Sequence, residues 1–196
     1  MPSEWPSELE LRTRLAALIG SPPKSRPPVV VEWQGTTYRF ASREYAVREN
    51  FTDGVGARRA GGRFTPAGAQ RTVYLTLDRA TATAELDSWF EYYAVPATAF
   101  QPRVLAAVAV SVGLLLDLAA PEALTALGIT PEMVAEEWRM AADAGQVAGV
   151  QTFGRLVYEA GFEGLRFLST RRPGGVNLAL FPDNYRDGTH ALMLNA

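Results

Sequence analysis

The chain has 196 residues, 47% of them hydrophobic, which is typical of one globular domain and excludes disordered, collagen-like and coiled-coil proteins. Its formal charge of −2 is a poor electrostatic match for nucleic acid. Cysteine is absent, so disulfides, thiolate catalysis and thiolate-ligated metals are excluded. His190 is the single histidine.

The first 28 residues are predicted to form a helix and a stiff linker. Ser7 stands at the N-cap of a helical run, and Gly20 is its terminator. Residues 21–28 contain four prolines and therefore fit neither a helix nor an inner strand. We take residues 1–28 as an appendage and residues 29–196 as the main domain. The start of the chain lacks the basic and apolar regions of a signal peptide.

The main domain is predicted to open with a β-hairpin and a long loop. Residues 29–33 and 36–41 have strand composition and flank Gln34-Gly35, which fits a two-residue turn. Residues 42–71 show no clear hydrophobic period and are rich in glycine and arginine. Loops of this length are often functional.

The middle of the chain is predicted to contain strands around one helix. Residues 72–77 alternate as a strand does, and Asp78 is the predicted N-cap of a helix over residues 79–93. Residues 103–118 read as one or two buried strands. Their apolar run, residues 104–116, is too short to span a bilayer as a helix, so we expect a soluble cytoplasmic protein.

The rest of the chain is predicted to contain helices and strands in an irregular order. Residues 121–127 and 131–144 are predicted helices with proline in the first turn, and residues 152–160 form a short helix. Residues 165–168 and 176–181 are predicted strands. Because there is no steady β-α-β rhythm, the predicted fold class is α+β.

Arginine is concentrated in one part of the chain. Between Arg39 and Arg79 there are eight arginines against four acidic residues, and residues 121–145 are acidic. Such a segment is either a solvated loop or a pocket for an anionic small molecule, because guanidinium groups pair well with phosphate.

The glycines of residues 54–68 match neither the dinucleotide fingerprint nor the P-loop, so close backbone approach or positive φ explains them more simply. The chain has no Gly-x-Ser-x-Gly elbow, and we discount a Ser169–His190 catalytic pair.

Five ordered motifs resemble those of the RES domain family, over roughly residues 36–185. They are YRF at 38–40, GGRFTPAG at 61–68, VYL at 73–75, Ala-Glu at 84–85 and the stretch 159–182. The resemblance implies an ADP-ribosyltransferase-like fold, with mixed or antiparallel sheets and flanking helices, that acts on NAD without a metal. It also implies an Xre-type antitoxin partner that carries the DNA-binding helix, so no direct contact with nucleic acid is expected here.

The same resemblance assigns roles to five residues. It makes Glu85, Arg39 and Tyr74 catalytic, and it makes Arg39, Arg63, Tyr74 and Ser169 substrate-binding. Cleavage of the nicotinamide–ribose bond passes through an oxocarbenium-like state that a carboxylate such as Glu85 can stabilise. The alternatives are an exposed helix glutamate for Glu85, ion pairs for the arginines, simple packing for Tyr74 and a turn for Ser169.

Three functions follow from these assignments. The first is a toxin that cleaves NAD by hydrolysis or phosphorolysis and is held inactive by its antitoxin. The second is an ADP-ribosyltransferase that modifies a protein target, and the third is a non-catalytic domain that binds a nucleotide or a partner. The sequence leaves open the acceptor and the oligomeric state, including a homo-oligomer. Thr65, where asparagine is common in the family, and a longer stretch between Arg39 and Gly61 are departures from the family pattern.

Overall fold

The computed structural model describes residues 4–20, 28–43, 46, 48–94, 96 and 103–194. The described helices are α1 Glu8–Gly20, α2 Arg48–Phe51, α3 Val55–Ala60, α4 Arg79–Tyr92, α5 Pro121–Leu127, α6 Pro131–Val134, α7 Trp138–Asp143 and α8 Gly149–Glu159. The described strands are β1 Val30–Ser42, β2 Val73–Thr76, β3 Arg103–Asp117, β4 Gly164–Leu168, β5 Val176–Leu180 and β6 His190–Met193.

The strands form one mixed sheet that closes on itself. The strand order is β1-β2-β5-β4-β3-β6, and β1 also pairs with β3. All strand pairs are antiparallel except β3 with β4. The predicted α+β class is therefore confirmed, with strands and helices that do not alternate as β-α-β units.

The predicted hairpin around Gln34-Gly35 is wrong. Residues 30–42 form the single strand β1, in which Gln34 lies opposite Ser111 and Gly35 lies opposite Val110 of β3. The ladder extends from Val30 with Leu116 to Ser42 with Arg103. The long strand β3 therefore supplies a continuous hydrogen-bonding partner, and this long-range pairing overrides the local turn signal.

A bulge in β3 divides its side chains between two cores. The pairing with β1 slips by one residue near Gly113, since Trp33 pairs with Val112 and Val31 pairs with Leu115. Such a bulge moves the following side chains to the other face of the sheet. One core lies against α1, α5 and α8, and the other lies against the opposite face with Phe51.

Helix α1 is capped as predicted and packs on the main body. The Ser7 hydroxyl accepts a hydrogen bond from the Glu10 amide, while the Glu10 carboxylate accepts from the Ser7 amide. Leu11, Leu15 and Leu18 are buried in the same core as α5 and α8. The predicted boundary at residue 28 adjoins residues 21–27, which lie outside the described residues, and it stays a prediction.

Two other predictions need correction. The long loop over residues 42–71 contains the short helices α2 and α3. The single helix over residues 131–144 is interrupted between α6 and α7, where Glu137 caps α7 by accepting a hydrogen bond from the Arg139 amide. Within the described parts of the chain, no helix has the length and apolarity needed to cross a bilayer.

Candidate functional site

A cavity of about 350 Å³ opens between α4, α7 and one end of the sheet. The glycine-rich turn that follows α3 forms another part of its wall. Its charged and aromatic lining includes Tyr38, Arg39, Arg63, Tyr74, Glu85, Trp89, Tyr93, Arg103, Trp138, Arg139 and Phe167. Among the described lining residues there are four arginines and one carboxylate, so the cavity favours an anionic ligand in a protein whose net charge is negative.

Glu85 presents a fixed carboxylate to this cavity. Asp78 caps α4 as predicted, with its carboxylate accepting from the Thr81 amide, and Glu85 follows two turns later. Its Oε1 accepts hydrogen bonds from Ser169 Oγ and Asn177 Nδ2, both at 2.7 Å. Its Oε2 makes no hydrogen bond within the described part of the chain. The hydrogen bonds to Oε1 therefore orient the carboxylate.

Ser169 supports Glu85 from the end of β4. Its hydroxyl donates to Glu85 and accepts hydrogen bonds from the amides of Arg171 and Arg172, at 3.1 and 3.2 Å. Ser169 therefore lies beside the candidate catalytic residue Glu85, and it also has the turn role that was the alternative. Ser169 is not among the described residues that line the cavity. Its contact with a substrate remains a prediction.

Asn177 is a site residue that the sequence analysis did not identify. It lies in β5 opposite Thr76 of β2 and Phe167 of β4, so three strands place it beside Glu85. Its side chain is buried, and its Oδ1 has no hydrogen-bond partner among the described residues. The available signal was a polar residue within an otherwise apolar strand, since buried amides are uncommon without a specific role.

The glycine motif at 61–65 forms a tight turn against Tyr74. Gly61 has φ of 81°, a conformation that favours glycine, and Gly62 lies so close to Tyr74 that a Cβ would be 2.6 Å from its ring. Both sequence interpretations of these glycines are confirmed. Gly62 and Thr65 pair as an isolated β-bridge, and Phe64 is buried against Phe167. The turn thus carries Arg63 next to the buried Phe64 and against the partly buried Tyr74.

Arg63 lines the cavity and also connects two other parts of the chain. Its Nη1 donates to the carbonyls of Val134 and Glu136, and its Nη2 donates to Thr170 Oγ1 at 2.9 Å. Burial lowers the pKa of Arg63, while the charges of Glu85 and Glu137 raise it. The guanidinium remains a cation, because arginine does not lose its proton in proteins. Arg63 therefore brings positive charge near Glu85 and fixes the segment before α7.

Tyr74 uses its hydroxyl inside the protein. Tyr74 Oη accepts a hydrogen bond from the Phe64 amide at 2.9 Å and lies 3.0 Å from Thr65 Oγ1. Burial raises the pKa of Tyr74 to about 12, although the hydrogen bonds with Thr65 and Phe64 lower it in part. Tyr74 is therefore a neutral phenol at physiological pH. It lines the cavity while it supports the turn that carries Arg63.

Arg39 lies in β1 and lines the same cavity. Its Nη1 donates to the Phe51 carbonyl at 2.6 Å, and its guanidinium lies 5.6 Å from the Phe51 ring centroid. Burial lowers the pKa of Arg39, and the charge of Asp53 raises it. Four of the five predicted residues, Arg39, Arg63, Tyr74 and Glu85, thus line one cavity, and the fifth is hydrogen-bonded to Glu85. Their chemical roles remain predictions.

Comparisons with known proteins identify the family and the fold of the chain. The RES domain family model matches residues 36–193. A chain from the crystal structure of the M. tuberculosis MbcT-MbcA toxin-antitoxin complex has a similar fold, with a TM-score of 0.69 and 20% identity, over 95% of this chain and 90% of that one. No curated protein matches the sequence significantly. The predicted ADP-ribosyltransferase-like fold class is confirmed, and the chain belongs to the RES domain family.

Proposed function

We propose that this protein cleaves the nicotinamide–ribose bond of NAD. The observation that carries the proposal is the carboxylate of Glu85, which is fixed through Oε1 in a cavity lined by four arginines. Membership of the RES family supports NAD as the substrate, because the family resemblance implies it. The cationic lining suits the pyrophosphate of a dinucleotide.

The proposed chemistry requires a fixed negative charge beside the ribose. The C1′–N bond breaks heterolytically, so nicotinamide leaves with the electron pair and positive charge develops on the sugar. A carboxylate oriented before the reaction stabilises that charge without reorganisation. In our proposal, Glu85 Oε2 faces the ribose, while Ser169 and Asn177 keep the carboxylate in place. Water then captures the sugar and releases a proton, or phosphate captures it instead.

Arg39 and Arg63 are proposed to bind the substrate through their charge. Both guanidinium groups donate hydrogen bonds to backbone carbonyls, so their positions are fixed before a ligand arrives. Fixed cations lose little conformational entropy when an anion binds. Tyr74 is proposed to offer its ring to the nicotinamide, while its hydroxyl remains in the hydrogen bonds with Phe64 and Thr65.

We further propose that the chain is the toxin of a toxin–antitoxin pair. The similarity to a chain of the MbcT-MbcA complex supports a partner protein that holds the enzyme inactive. The Xre-type identity of that partner and the cytoplasmic location remain predictions. In this proposal, expression of the chain without a partner depletes cellular NAD and arrests growth.

Incubation of the purified protein with NAD tests the central proposal. We expect release of nicotinamide, and we expect Glu85→Gln to lower its rate by roughly 10²–10⁴-fold, because the variant keeps the shape but loses the charge. Glu91→Gln is the matched control, because Glu91 lies on the same helix with an exposed side chain. The control should retain the original rate.

Product analysis separates the proposed chemistry from its alternatives. Free ADP-ribose indicates hydrolysis, and ADP-ribose-1-phosphate formed only with added phosphate indicates phosphorolysis. Label from NAD that remains on a macromolecule indicates ADP-ribosylation of a protein. Binding of NAD without nicotinamide release would overturn the enzymatic proposal in favour of a non-catalytic domain. An unchanged rate in Glu85→Gln would remove Glu85 from the mechanism.

A further inference from the structure

One wall of the cavity is aromatic and lies apart from the family motifs. Trp89 and Tyr93 come from α4 and its C-cap, and Trp138 and Arg139 come from α7. The rings of Trp89 and Tyr93 lie 4.8 Å apart between centroids. We call Trp89, Tyr93, Trp138 and Arg139 the α4–α7 wall. Its flat rings offer stacking surfaces that a nucleic-acid base can use.

Arg139 is a buried cation with few partners. The residue is only 9% exposed, and its buried Nε has no hydrogen-bond partner among the described residues. Its Nη1 makes one long contact with Glu137 Oε1, at 3.4 Å. The guanidinium lies over the rings of Trp138 and Tyr92, at 5.1 and 5.5 Å from their centroids. Arg139 lines the cavity, and its ion pair with Glu137 is long, so its guanidinium can also bind an anionic ligand there.

The α4–α7 wall extends away from the proposed reaction centre. Trp89 lies four residues after Glu85 and Tyr93 lies eight residues after it, along the same helix face. With a rise of 1.5 Å per residue, these positions are roughly 6 and 12 Å from Glu85 along the axis. A ligand that places one nucleotide at Glu85 therefore has a second, aromatic platform about one nucleotide further along the cavity.

We propose that the α4–α7 wall binds the non-reacting nucleotide of the dinucleotide substrate. The aromatic rings stack on its purine base, and Arg139 binds a phosphate oxygen of the same half. This inference rests on the proposed function, since it names which part of NAD this wall recognises. It makes Arg139, Trp138 and Tyr93 determinants of the preference for a dinucleotide over a mononucleotide.

Nicotinamide mononucleotide is the probe that isolates this wall. It contains the same C1′–N bond as NAD and lacks the adenosine monophosphate half. We expect the unaltered protein to have a kcat/KM for NAD at least about tenfold above that for the mononucleotide. Arg139→Gln should raise KM for NAD roughly 10- to 100-fold with little change in kcat, as expected for a lost hydrogen bond to a charged group. Its kinetics with the mononucleotide should remain unchanged.

Tyr93→Ala provides a second variant that does not disturb the core, because Tyr93 is 43% exposed. Loss of a stacking surface should raise KM for NAD about fivefold or more and leave turnover of the mononucleotide unaltered. Arg155→Gln is the matched control for Arg139→Gln. Arg155 lies on α8 and makes surface ion pairs with Glu8 of α1 and Glu159 of α8. It should not change KM.

The outcomes distinguish this inference from the proposed function. No nicotinamide from either substrate would overturn the proposed function itself. Equal use of the two substrates by the unaltered protein would overturn the role of the α4–α7 wall alone. An equal loss with both substrates in Arg139→Gln, combined with unchanged KM in Tyr93→Ala, would also overturn it. Such a result would mean that Arg139 stabilises the folded protein and does not contact the substrate.

Discussion

The hydroxyl of Tyr74 connects the sheet to the turn that carries Arg63. The hydroxyl fills a position between the Phe64 amide and Thr65, and the Thr65 hydroxyl in turn donates a hydrogen bond to Thr72 Oγ1 at 2.7 Å. Thr65 therefore serves as a hydrogen-bonding member of this cluster, at the position where the family commonly has asparagine. These hydroxyls join the beginning of β2 to the glycine motif.

Tyr74→Phe should destabilise the protein at neutral pH. The substitution leaves the buried Phe64 amide without its acceptor, which costs about 1–3 kcal/mol of unfolding free energy. The pKa of Tyr74 is about 12 in the folded protein and 10.0 without the fold, so its stabilising effect is complete below pH 10. It is lost as pH rises from about 10 towards 12. Urea unfolding at a series of pH values measures both effects.

The difference in stability between the unaltered protein and Tyr74→Phe should therefore narrow above pH 10. The narrowing reaches roughly 2–3 kcal/mol, because each unit of pKa difference corresponds to about 1.4 kcal/mol. Parallel pH profiles for the two proteins would contradict this account. They would mean that the Tyr74 phenol ionises equally easily in the folded and unfolded chains.

At single residues, the sequence motifs selected side chains that lie close together in the fold, although their roles stay predictions. Arg63, Tyr74 and Glu85 belong to short motifs, and all three line the same cavity. Asn177 was within reach, because it is a polar residue in an apolar strand. Arg139 could not be predicted as a site residue, because it lies in an acidic segment whose local pattern indicated only a helix. Its role depends on the fold bringing α7 against α4, a contact that no local pattern encodes.

At the scale of elements, local signals gave the short strands and the helix caps but not the long-range pairing. Asp78 capped α4 as predicted, since a cap is an interaction over three residues. The turn signal at Gln34-Gly35 failed because β1 pairs with β3, about 75 residues later in the chain. For the glycine motif, the sequence indicated that glycine is needed, but it did not indicate that the Tyr74 ring is the group that Gly62 contacts.

Gly62→Ala should disrupt the turn and weaken the site. The added methyl group would lie 2.6–2.8 Å from atoms of the Tyr74 ring, which is itself held by hydrogen bonds. Such overpacking costs about 1–3 kcal/mol. Because the turn carries Arg63, nicotinamide release should fall as well. Urea unfolding and the NAD assay measure the two effects.

Gly56→Ala is the matched control for this substitution. Gly56 lies within α3, and a methyl group there would meet no atom within 4 Å. Alanine should leave stability unchanged or raise it by about 0.5–1 kcal/mol, as is usual inside a helix. Equal unfolding midpoints for the two alanine variants would show that the Tyr74 ring moves aside without cost.

At the scale of the whole molecule, α1 contributes to the main core although it precedes the matched family region. Trp5 stacks on Phe153 with a centroid distance of 5.7 Å, and Arg14 donates to the Leu127 carbonyl. Ion pairs also join α1 to α8, but their side chains are substantially exposed, and such pairs contribute little. The buried apolar face of α1 therefore dominates its attachment.

Deletion of residues 1–20 tests whether the region after residue 28 folds alone. The deletion exposes the surfaces covered by Leu11, Leu15 and Leu18, which are 0–7% exposed. Burial of three leucines stabilises by about 5–9 kcal/mol in total, which approaches the whole stability of an ordinary domain. We therefore expect the shortened chain to be largely unfolded by circular dichroism and to release no nicotinamide. Leu9→Ala should unfold normally, because Leu9 is 75% exposed. A shortened chain that melts cooperatively at the original temperature would instead support an independent domain that begins at residue 29.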